Sequence, residues 1–351
     1  MDMLSHKDRV LKAVRHEEPD LVPIDSWFTS PMLRRLCEFF RARDEDELRV
    51  KLDLDVITLQ IHVTEGTFRK IIHEDGSFTD EFGIVWRKPD YRDFLPLKHP
   101  IKSEDDLDNY EFPVPRAQWR FDVFYEYVDR FGGEYPVFGG IGFTLFERAW
   151  LLRGFTNFLL DLLMNARFAE RLLDRIVEYD VKLAHEVVEA GVDVFYIGDD
   201  YGMKDRLMVS PRLWRSLIKP RLKRVIDVAR GKGLPVALHS DGNVSAIVPD
   251  LIELGVSVLN PVQPLCMDVV ELKEKYGDKL CLRGTLDTQY LLPLGSKRDV
   301  ELEVLNTIKT LGRGGGLILA PVHTVLPDIP LENYLTFVEA AKKYGKYPIR
   351  S

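Results

Sequence analysis

The chain has few cysteines, no long apolar run and no excess of positive charge. Its three cysteines, at positions 37, 266 and 281, form neither a disulfide framework nor a Cys-x-x-Cys metal motif, so a reducing, cytoplasmic location is expected. Residues 1–20 are rich in charge and no apolar stretch approaches spanning length, which argues against a signal peptide and a membrane partner. A net charge of −8 disfavours nucleic acid as a partner, although local basic groups can still bind small anions.

What the chain does contain is a regular alternation of strand and helix patterns. Hydrophobic residues make up 45% and aromatic residues 11% of the 351 positions, which excludes a disordered chain. Short apolar runs predict strands over residues 21–27, 56–63, 135–140, 192–197, 235–239, 256–260, 280–283 and 316–320. Amphipathic stretches lie between most of these runs, as is typical of parallel β/α units.

The pattern favours a closed barrel over an open dinucleotide-binding sheet. The glycine cluster at residues 312–316 precedes a predicted strand instead of following one, so a dinucleotide-binding fingerprint is missing. The number of strands and the chain length favour a single (β/α)8 TIM barrel over residues 1–351. Residues 67–100 lack helical periodicity and predict a β-hairpin, whereas residues 105–131 are mostly helical in pattern. We therefore predict that an excursion over residues 67–133 covers the barrel mouth.

The most informative segment is residues 234–242, LPVALHSDG, a strand pattern that ends in His239-x-Asp241. Ligands bind at the carboxyl ends of parallel strands, and residues two apart on a strand share a face. His239 and Asp241 are therefore expected to converge on one metal ion or one proton. The alternative is a β-turn in which Ser240, Asp241 and Gly242 supply turn chemistry and His239 is an ordinary strand-end residue. The spacing alone leaves both interpretations open.

Two segments resemble a known family. Residues 6–23, HKDRVLKAVRHEEPDLVP, are similar to the opening of uroporphyrinogen decarboxylase-like proteins, and residues 321–333, PVHTVLPDIPLEN, to their last strand-to-helix junction. Residues 139–153 and 199–220 also have the family's spacing. The resemblance covers essentially the whole chain and implies the same TIM barrel. It also implies one of two chemistries, cofactor-free decarboxylation of uroporphyrinogen or zinc-dependent methyl exchange with a corrinoid protein, and only site residues distinguish them.

The decarboxylase branch is matched at one of three positions. Its members carry an arginine motif after the first strand, whereas residues 23–31 here contain Asp25 and Trp27 and no arginine before Arg34. The acidic residue expected after the second strand is replaced by the segment that ends at His62. His323 does lie where the decarboxylases have a functional histidine. An acidic, aromatic mouth would repel a substrate with many carboxylates.

The methyltransferase branch is matched at the positions of its three metal ligands, although two of the three residue types differ. The resemblance implies that coenzyme M methyltransferases bind zinc through a His-x-Cys pair and a cysteine at the last strand. The matching residues here are His239, Asp241 and His323, so both cysteines are replaced. Two imidazoles and a carboxylate can still hold zinc and leave a fourth position open for substrate. The alternative is that no metal binds and that His323 is an acid–base or hydrogen-bonding residue.

Several other side chains are expected near the same site. Asp199 and Asp200 end a predicted strand and are catalytic candidates, as proton donors or as partners that orient an imidazole. Because adjacent strand residues point to opposite faces, only one of them should face the barrel, and Asp199 is expected to face a common cavity with His239, Gln263 and His323. Trp27, Tyr201 and Gln263 are candidates for substrate binding, with packing or turn roles as the alternative.

The replaced thiolates indicate the kind of substrate. Two imidazoles and one carboxylate leave zinc more Lewis acidic than thiolates do, which suits the oxygen of a methyl ether or alcohol. We therefore expect an O-demethylase component, a methyltransferase that uses methylcobalamin or another corrinoid carried by a partner protein. The chain itself lacks the Asp-x-His-x-x-Gly pattern for carrying cobalamin. The alternatives are a metal-free decarboxylase and a noncatalytic family member.

Overall fold

The computed structural model describes residues 3–87 and 95–349. Within them the strands are β1 (Ile57–Ile61), β2 (Lys70–Ile72), β3 (Phe78–Asp80), β4 (Val85–Trp86), β5 (Pro96–Lys98), β6 (Val137–Ile141), β7 (Val194–Gly198), β8 (Val236–His239), β9 (Val256–Asn260), β10 (Cys281–Arg283) and β11 (Leu317–Ile318). The helices are α1 (His6–Val14), α2 (Ser30–Phe40), α3 (Glu45–Leu52), α4 (Glu104–Asn109), α5 (Gln118–Phe131), α6 (Leu145–Arg153), α7 (Phe155–Met164), α8 (Ala166–Glu189), α9 (Pro211–Leu213), α10 (Lys219–Arg230), α11 (Val248–Leu254), α12 (Val269–Tyr276), α13 (Leu291–Leu294), α14 (Lys297–Leu311) and α15 (Leu331–Tyr344). A π-helical turn (Trp214–Ile218) joins α9 to α10, and a 3-10 turn (Ser245–Ile247) precedes α11.

A parallel sheet forms the wall of the barrel. Among the described residues it has seven strands, in the order β1-β6-β7-β8-β9-β10-β11. Each neighbouring pair is parallel. Helices follow most of these strands and pack outside them, so the strand residues are buried on both faces. The (β/α)8 barrel that the sequence predicted is confirmed.

The eighth wall position belongs to the segment predicted as the first strand, residues 21–27. The Leu319 N–H donates to Pro23 O at 2.8 Å, and the Asp55 N–H donates to Ile24 O at 2.7 Å, so the segment joins β11 to the residues that lead into β1. It forms single bridges instead of the predicted continuous strand. The physical reason lies at Pro23, which has no N–H to donate to a sheet ladder.

The interior of the barrel is a small core of its own. Alternate strand residues point inward and pack together, namely Phe138, Val194, Tyr196, Ala237, Val258, Cys281 and Ile318. Val10 and Val14 of α1 join this cluster, and the Gly316 N–H before β11 donates to Ala13 O at 3.0 Å. Helix α1 therefore closes the barrel where the strands begin, and the opposite end, where they finish, is left for a site.

The predicted excursion contains more structure than a hairpin. Within the described residues β2, β3, β4 and β5 form an antiparallel sheet in that order, and the turn between β2 and β3 contains Gly76 at φ 79°. Phe78 of β3, Trp86 of β4 and Phe82 in the turn between these strands are buried. Helices α4 and α5 account for the predicted helical part, while residues 88–94 lie outside the described residues. That the whole chain forms one domain stays a prediction.

The helices bear on one further expectation. In the part of the chain that the structure describes, none is both long and apolar enough to cross a membrane.

Candidate metal centre

Three side chains with metal-binding chemistry meet at the carboxyl end of the barrel. His239 is the last residue of β8, Asp241 lies two residues beyond it, and His323 lies in the loop after β11. One potential ligand atom from each lies within 4.8 Å of the other two. Asp241 Oδ1 is 3.9 Å from His239 Nε2, and Asp241 Oδ2 is 3.9 Å from His323 Nε2. The structure thus brings together the three residues predicted as metal ligands, which we call the ligand cluster.

The His239 ring is oriented as a metal ligand requires. Its Nδ1 lies 2.7 Å from Asn260 Oδ1, and the Asn260 Nδ2 donates to the carbonyl oxygen of Arg283 at 3.4 Å. Because an amide oxygen only accepts hydrogen bonds, Nδ1 carries the ring proton and Nε2 keeps its lone pair toward Asp241. Asn260 ends β9 in register with His239 on β8. It therefore acts as a partner that orients the His239 ring.

Replacing Asn260 with alanine is expected to weaken metal binding by about 10- to 100-fold, because the proton on His239 Nδ1 loses its acceptor. Asn260→Asp keeps an acceptor and should retain the metal. The measurement is zinc affinity by competition with a chromogenic chelator. Asn109→Ala, an exposed change on α4, is the matched control. Unchanged affinity in Asn260→Ala would show that this contact does not orient the ligand.

Asp241 is held by groups on two neighbouring loops. The Gln263 Nε2 donates to Asp241 Oδ1 at 3.1 Å, and Gln263 Oε1 accepts from the Gly242 N–H at 2.7 Å. The Asp241 N–H donates to Asp200 Oδ1 at 2.8 Å. Gly242 has φ +81°, and a Cβ there would lie 2.6 Å from the Gly202 carbonyl carbon, so only glycine fits. Gln263, predicted to bind substrate, uses both ends of its amide to hold the Asp241 loop.

His323 is less constrained than His239. Its side chain is 48% exposed, and the Thr324 N–H donates to its Nδ1 at 2.8 Å. The surrounding barrel rim lowers the pKa of His323 by desolvation, and the Asp241 carboxylate opposes this. With Nδ1 accepting, a neutral ring carries its proton on Nε2. Coordination through Nε2 therefore needs that proton to leave, so this ligand is not preset for a metal as His239 is.

Of the two adjacent aspartates, Asp200 and not the expected Asp199 faces the ligand cluster. Its Oδ1 lies 3.9 Å from His239 Nε2. Asp199 is fully buried and accepts hydrogen bonds from the N–H groups of Phe146 at 3.0 Å and Glu147 at 2.7 Å, and from the Tyr201 hydroxyl at 2.7 Å. Asp199 therefore anchors the first turn of α6. Tyr201 is 1% exposed, so the structure does not place this predicted substrate-binding residue in the mouth.

Burial raises the pKa of the carboxyl groups behind the ligand cluster. Desolvation raises the pKa of Asp199 to about 7, although its backbone donors lower it. Desolvation also raises the pKa of Asp200, and the charge of the nearby His239 opposes this rise. The pKa of Glu147 is held well above its usual range by burial and then by the charges of Asp200 and Asp199. Carboxyl groups able to hold a proton therefore lie beside the cluster.

Trp27 forms an aromatic wall against both histidines. Its ring centroid is 5.5 Å from that of His239 and 6.2 Å from that of His323. The Arg283 guanidinium lies 4.9 Å from the Trp27 ring, and it pairs with the buried Asp25. The structure therefore places Trp27 at the site, where it was predicted to be, and supports it with an ion pair inside the barrel.

Sequence reasoning missed three residues of this site. Asn260 could have been found, since it ends a predicted strand next to the strand of His239. Glu147 at the start of α6 was hidden, because an acidic residue in a first turn is explained by the helix dipole alone. Arg283 ends a predicted strand, but nothing in the sequence indicates that its side chain points into the barrel.

One family model matches most of the chain. The profile described as uroporphyrinogen decarboxylase matches residues 94–344. A methylcobamide:CoM methyltransferase, MtaA of Methanosarcina barkeri, is 27% identical over 216 residues, which are 62% of this chain and 60% of that relative's length. A uroporphyrinogen decarboxylase of Mannheimia succiniciproducens is 22% identical over 365 aligned positions, covering 97% of each chain. The solved structure of a methyltransferase from Methanosarcina mazei superposes with a TM-score of 0.72 at 23% identity, covering 97% of this chain and 99% of that one, and supports the fold.

Proposed function

The chain belongs to the uroporphyrinogen decarboxylase family, and within it we propose a zinc-dependent methyltransferase that exchanges a methyl group between a small methyl ether or alcohol and a corrinoid protein. The observation that carries this proposal is the ligand cluster, in which Asn260 already orients His239 for a metal. The likeness to a methylcobamide:CoM methyltransferase supports the reaction type. A cytoplasmic location, without a nucleic-acid or membrane partner, stays a prediction from composition.

The charges around the mouth weigh against the decarboxylase alternative. A porphyrinogen with many carboxylates needs several cations, whereas Asp200 and Asp241 face the mouth here. Arg283 lies beneath Trp27 and is already paired with Asp25. The residues that surround the ligand cluster therefore suit a neutral substrate better than a polyanion.

The donor set suits an oxygen-bound methyl group. His239, Asp241 and His323 would hold the zinc ion, which would supply positive charge at an oxygen of the substrate. Trp27 covers one side of the cluster and limits the access of water, while Gln263 and Asn260 hold two of the ligands in place. In demethylation the bond from oxygen to the methyl carbon would break with its electron pair left on the oxygen, while the reduced cobalt of the partner protein's corrinoid would supply the electron pair that bonds the methyl group. Asp200, beside His239, is placed to give that oxygen a proton.

The direct test offers the purified chain two kinds of reaction partner. With a reduced corrinoid protein, a methoxylated arene or methanol should be demethylated, and methylation of the corrinoid is followed by its absorbance spectrum. With the methylated corrinoid protein, thiols should be poor acceptors, because the cluster contains no thiolate. Zinc-stripped chain is the control and should be inactive until zinc is restored.

Two results would contradict the proposal. Methylation of a thiol without any ether or alcohol turnover would show that the ligand argument is wrong. Release of carbon dioxide from uroporphyrinogen by the zinc-free chain would favour the decarboxylase alternative.

A further inference from the structure

A row of three residues on neighbouring strands leaves a gap on the inner face of the barrel. Gln60 of β1 pairs with Gly140 of β6, and Gly140 pairs with Tyr196 of β7. Tyr196 belongs to the interior core, so its in-register partners face the interior as well. Because glycine has no side chain, β6 places nothing between the side chains of Gln60 and Tyr196. We call these three residues, together with Gly198 at the end of β7, the polar notch.

The polar notch is open toward the mouth of the barrel. Thr58 and Gln60, whose side chains face the interior, are only half-buried, whereas the three residues of β1 that face the helices are buried. Helix α1 closes the other end of the barrel with Val10 and Val14. The notch is therefore reached from the mouth, where the ligand cluster lies.

The glycine at the end of β7 leaves space that packing does not require. Gly198 is in register with His239 of the ligand cluster. For a Cβ at Gly198 the nearest atom beyond its chain neighbours would be 3.5 Å away, which is ordinary van der Waals contact. By contrast, a Cβ at Gly140 would lie 1.7 Å from Tyr196 O, so the close approach of two strands demands glycine there. The space at Gly198 thus lies directly beside His239 and is not needed by the fold.

Two polar side chains of the notch have unused hydrogen-bonding groups. Tyr196 is 1% exposed, and its ring centroid lies 6.3 Å from that of His239 and 6.2 Å from that of Trp27. Its hydroxyl forms no hydrogen bond with any residue in 3–87 or 95–349, and neither does the side-chain amide of Gln60. Gln60 Oε1 would lie 3.7 Å from a Cβ at Gly198, so this amide reaches across β6 toward the strand beside His239. A ligand that pairs with both groups gains affinity, because polar groups in a nearly enclosed place are costly to leave unpaired.

From this arrangement we propose that the polar notch binds a hydroxyl group of the substrate, which is then a small methyl ether with a hydroxyl group beyond the reacting oxygen. The Tyr196 hydroxyl donates to the oxygen of that group, and Gln60 Oε1 accepts its proton. Methanol has only the reacting oxygen and would leave both protein groups unpaired, so the notch discriminates against it. The inference rests on the methyl-ether function proposed above and adds the class of ether.

The experiment compares two ethers of nearly equal size, methoxyethanol and methyl propyl ether, which has a methyl group in place of the hydroxyl group. Their affinities for the purified full-length chain are measured by ligand-observed NMR titration, without any corrinoid protein. Methoxyethanol should bind about tenfold more tightly, as two modest hydrogen bonds allow. Tyr196→Phe and Gln60→Leu should each lower this preference by about threefold, and the double variant should abolish it. Tyr125→Phe, an exposed change on α5, should leave the preference unchanged.

A further variant separates the polar notch from the metal centre. A hydroxyl group can also bind zinc, so the two ethers are compared in His239→Ala as well, where the preference for methoxyethanol should remain about tenfold. Loss of the preference in His239→Ala would place the hydroxyl group at the ligand cluster and overturn the proposal. So would equal affinity of the unmodified chain for the two ethers, or a preference that survives in the double variant. A failure of methyl transfer would leave these binding results untouched, so the two proposals fail separately.

Discussion

Replacing His239 with alanine is expected to remove the metal and to lower methyl transfer by about a thousandfold. His239 is the ligand whose tautomer is already set, by Asn260 at 2.7 Å. Its loss leaves Asp241 and His323, and the Nδ1 of His323 already accepts a hydrogen bond from Thr324. Zinc per chain, measured by mass spectrometry after dialysis, should fall from near-stoichiometric to background. The rate of corrinoid methylation should fall with it.

His185→Ala is the matched control for this change. His185 is an exposed histidine on α8, so the control removes one imidazole without touching the barrel mouth. Zinc content and turnover should both be unchanged in it. If His239→Ala retains zinc and activity, His239 is not a ligand. If the unmodified chain carries no zinc while His323 is essential for turnover, the result favours the metal-free decarboxylase.

Replacing Asp25 with alanine is expected to lower the free energy of unfolding by about 3–5 kcal/mol, because it leaves the charge of Arg283 buried without its partner. Asp25 and Arg283 are each 1% exposed and pair inside the barrel. Two further nitrogens of Arg283, Nε and Nη1, already lack hydrogen-bond partners within the described residues. Arg49 also approaches Asp25, at 3.4 Å, but keeps other acceptors. Urea unfolding followed by tryptophan fluorescence measures the loss.

A double variant distinguishes an unpaired charge from a lost packing contact. Asp25→Leu with Arg283→Met replaces the ion pair with apolar groups, and it should recover most of the stability that Asp25→Ala loses. Asp205→Ala, an exposed change, should have almost no effect. If the double variant is as unstable as Asp25→Ala, the cost comes from packing around Trp27 and not from the charge.

The sequence alone predicted the barrel and the three residues that meet in the ligand cluster. Seven predicted strands match β1 and β6 to β11, because apolar runs bounded by short loops are local patterns. The resemblance to the family placed His239, Asp241 and His323 at the positions of its metal ligands, and the carboxyl ends of parallel strands lie at one end of a barrel, so the three were expected to meet. The one strand that differs, at residues 21–27, contains Pro23, whose missing N–H interrupts the ladder.

The roles of neighbouring residues were decided only by the tertiary structure. Asp199 and Asp200 are adjacent and chemically alike, yet one anchors α6 while the other faces His239. Which one turns inward depends on the backbone path at the end of β7. That path is set by packing and not by residue type. Likewise, Gln263 holds the Asp241 loop although its sequence position suited substrate binding equally well.

The surroundings of Arg148 in α6 lie beyond what the sequence could determine. The chain contains 48 lysine and arginine residues, and no sequence pattern distinguishes Arg148 from the others. Among the described residues Arg148 forms no ion pair, because the small antiparallel sheet packs Phe82 against its guanidinium while Glu81 pairs with Arg120 instead. Local patterns report which residues are apolar or charged. Only the contacts between distant segments decide which charge is left without a partner, since an unpaired charge is a property of all its neighbours together.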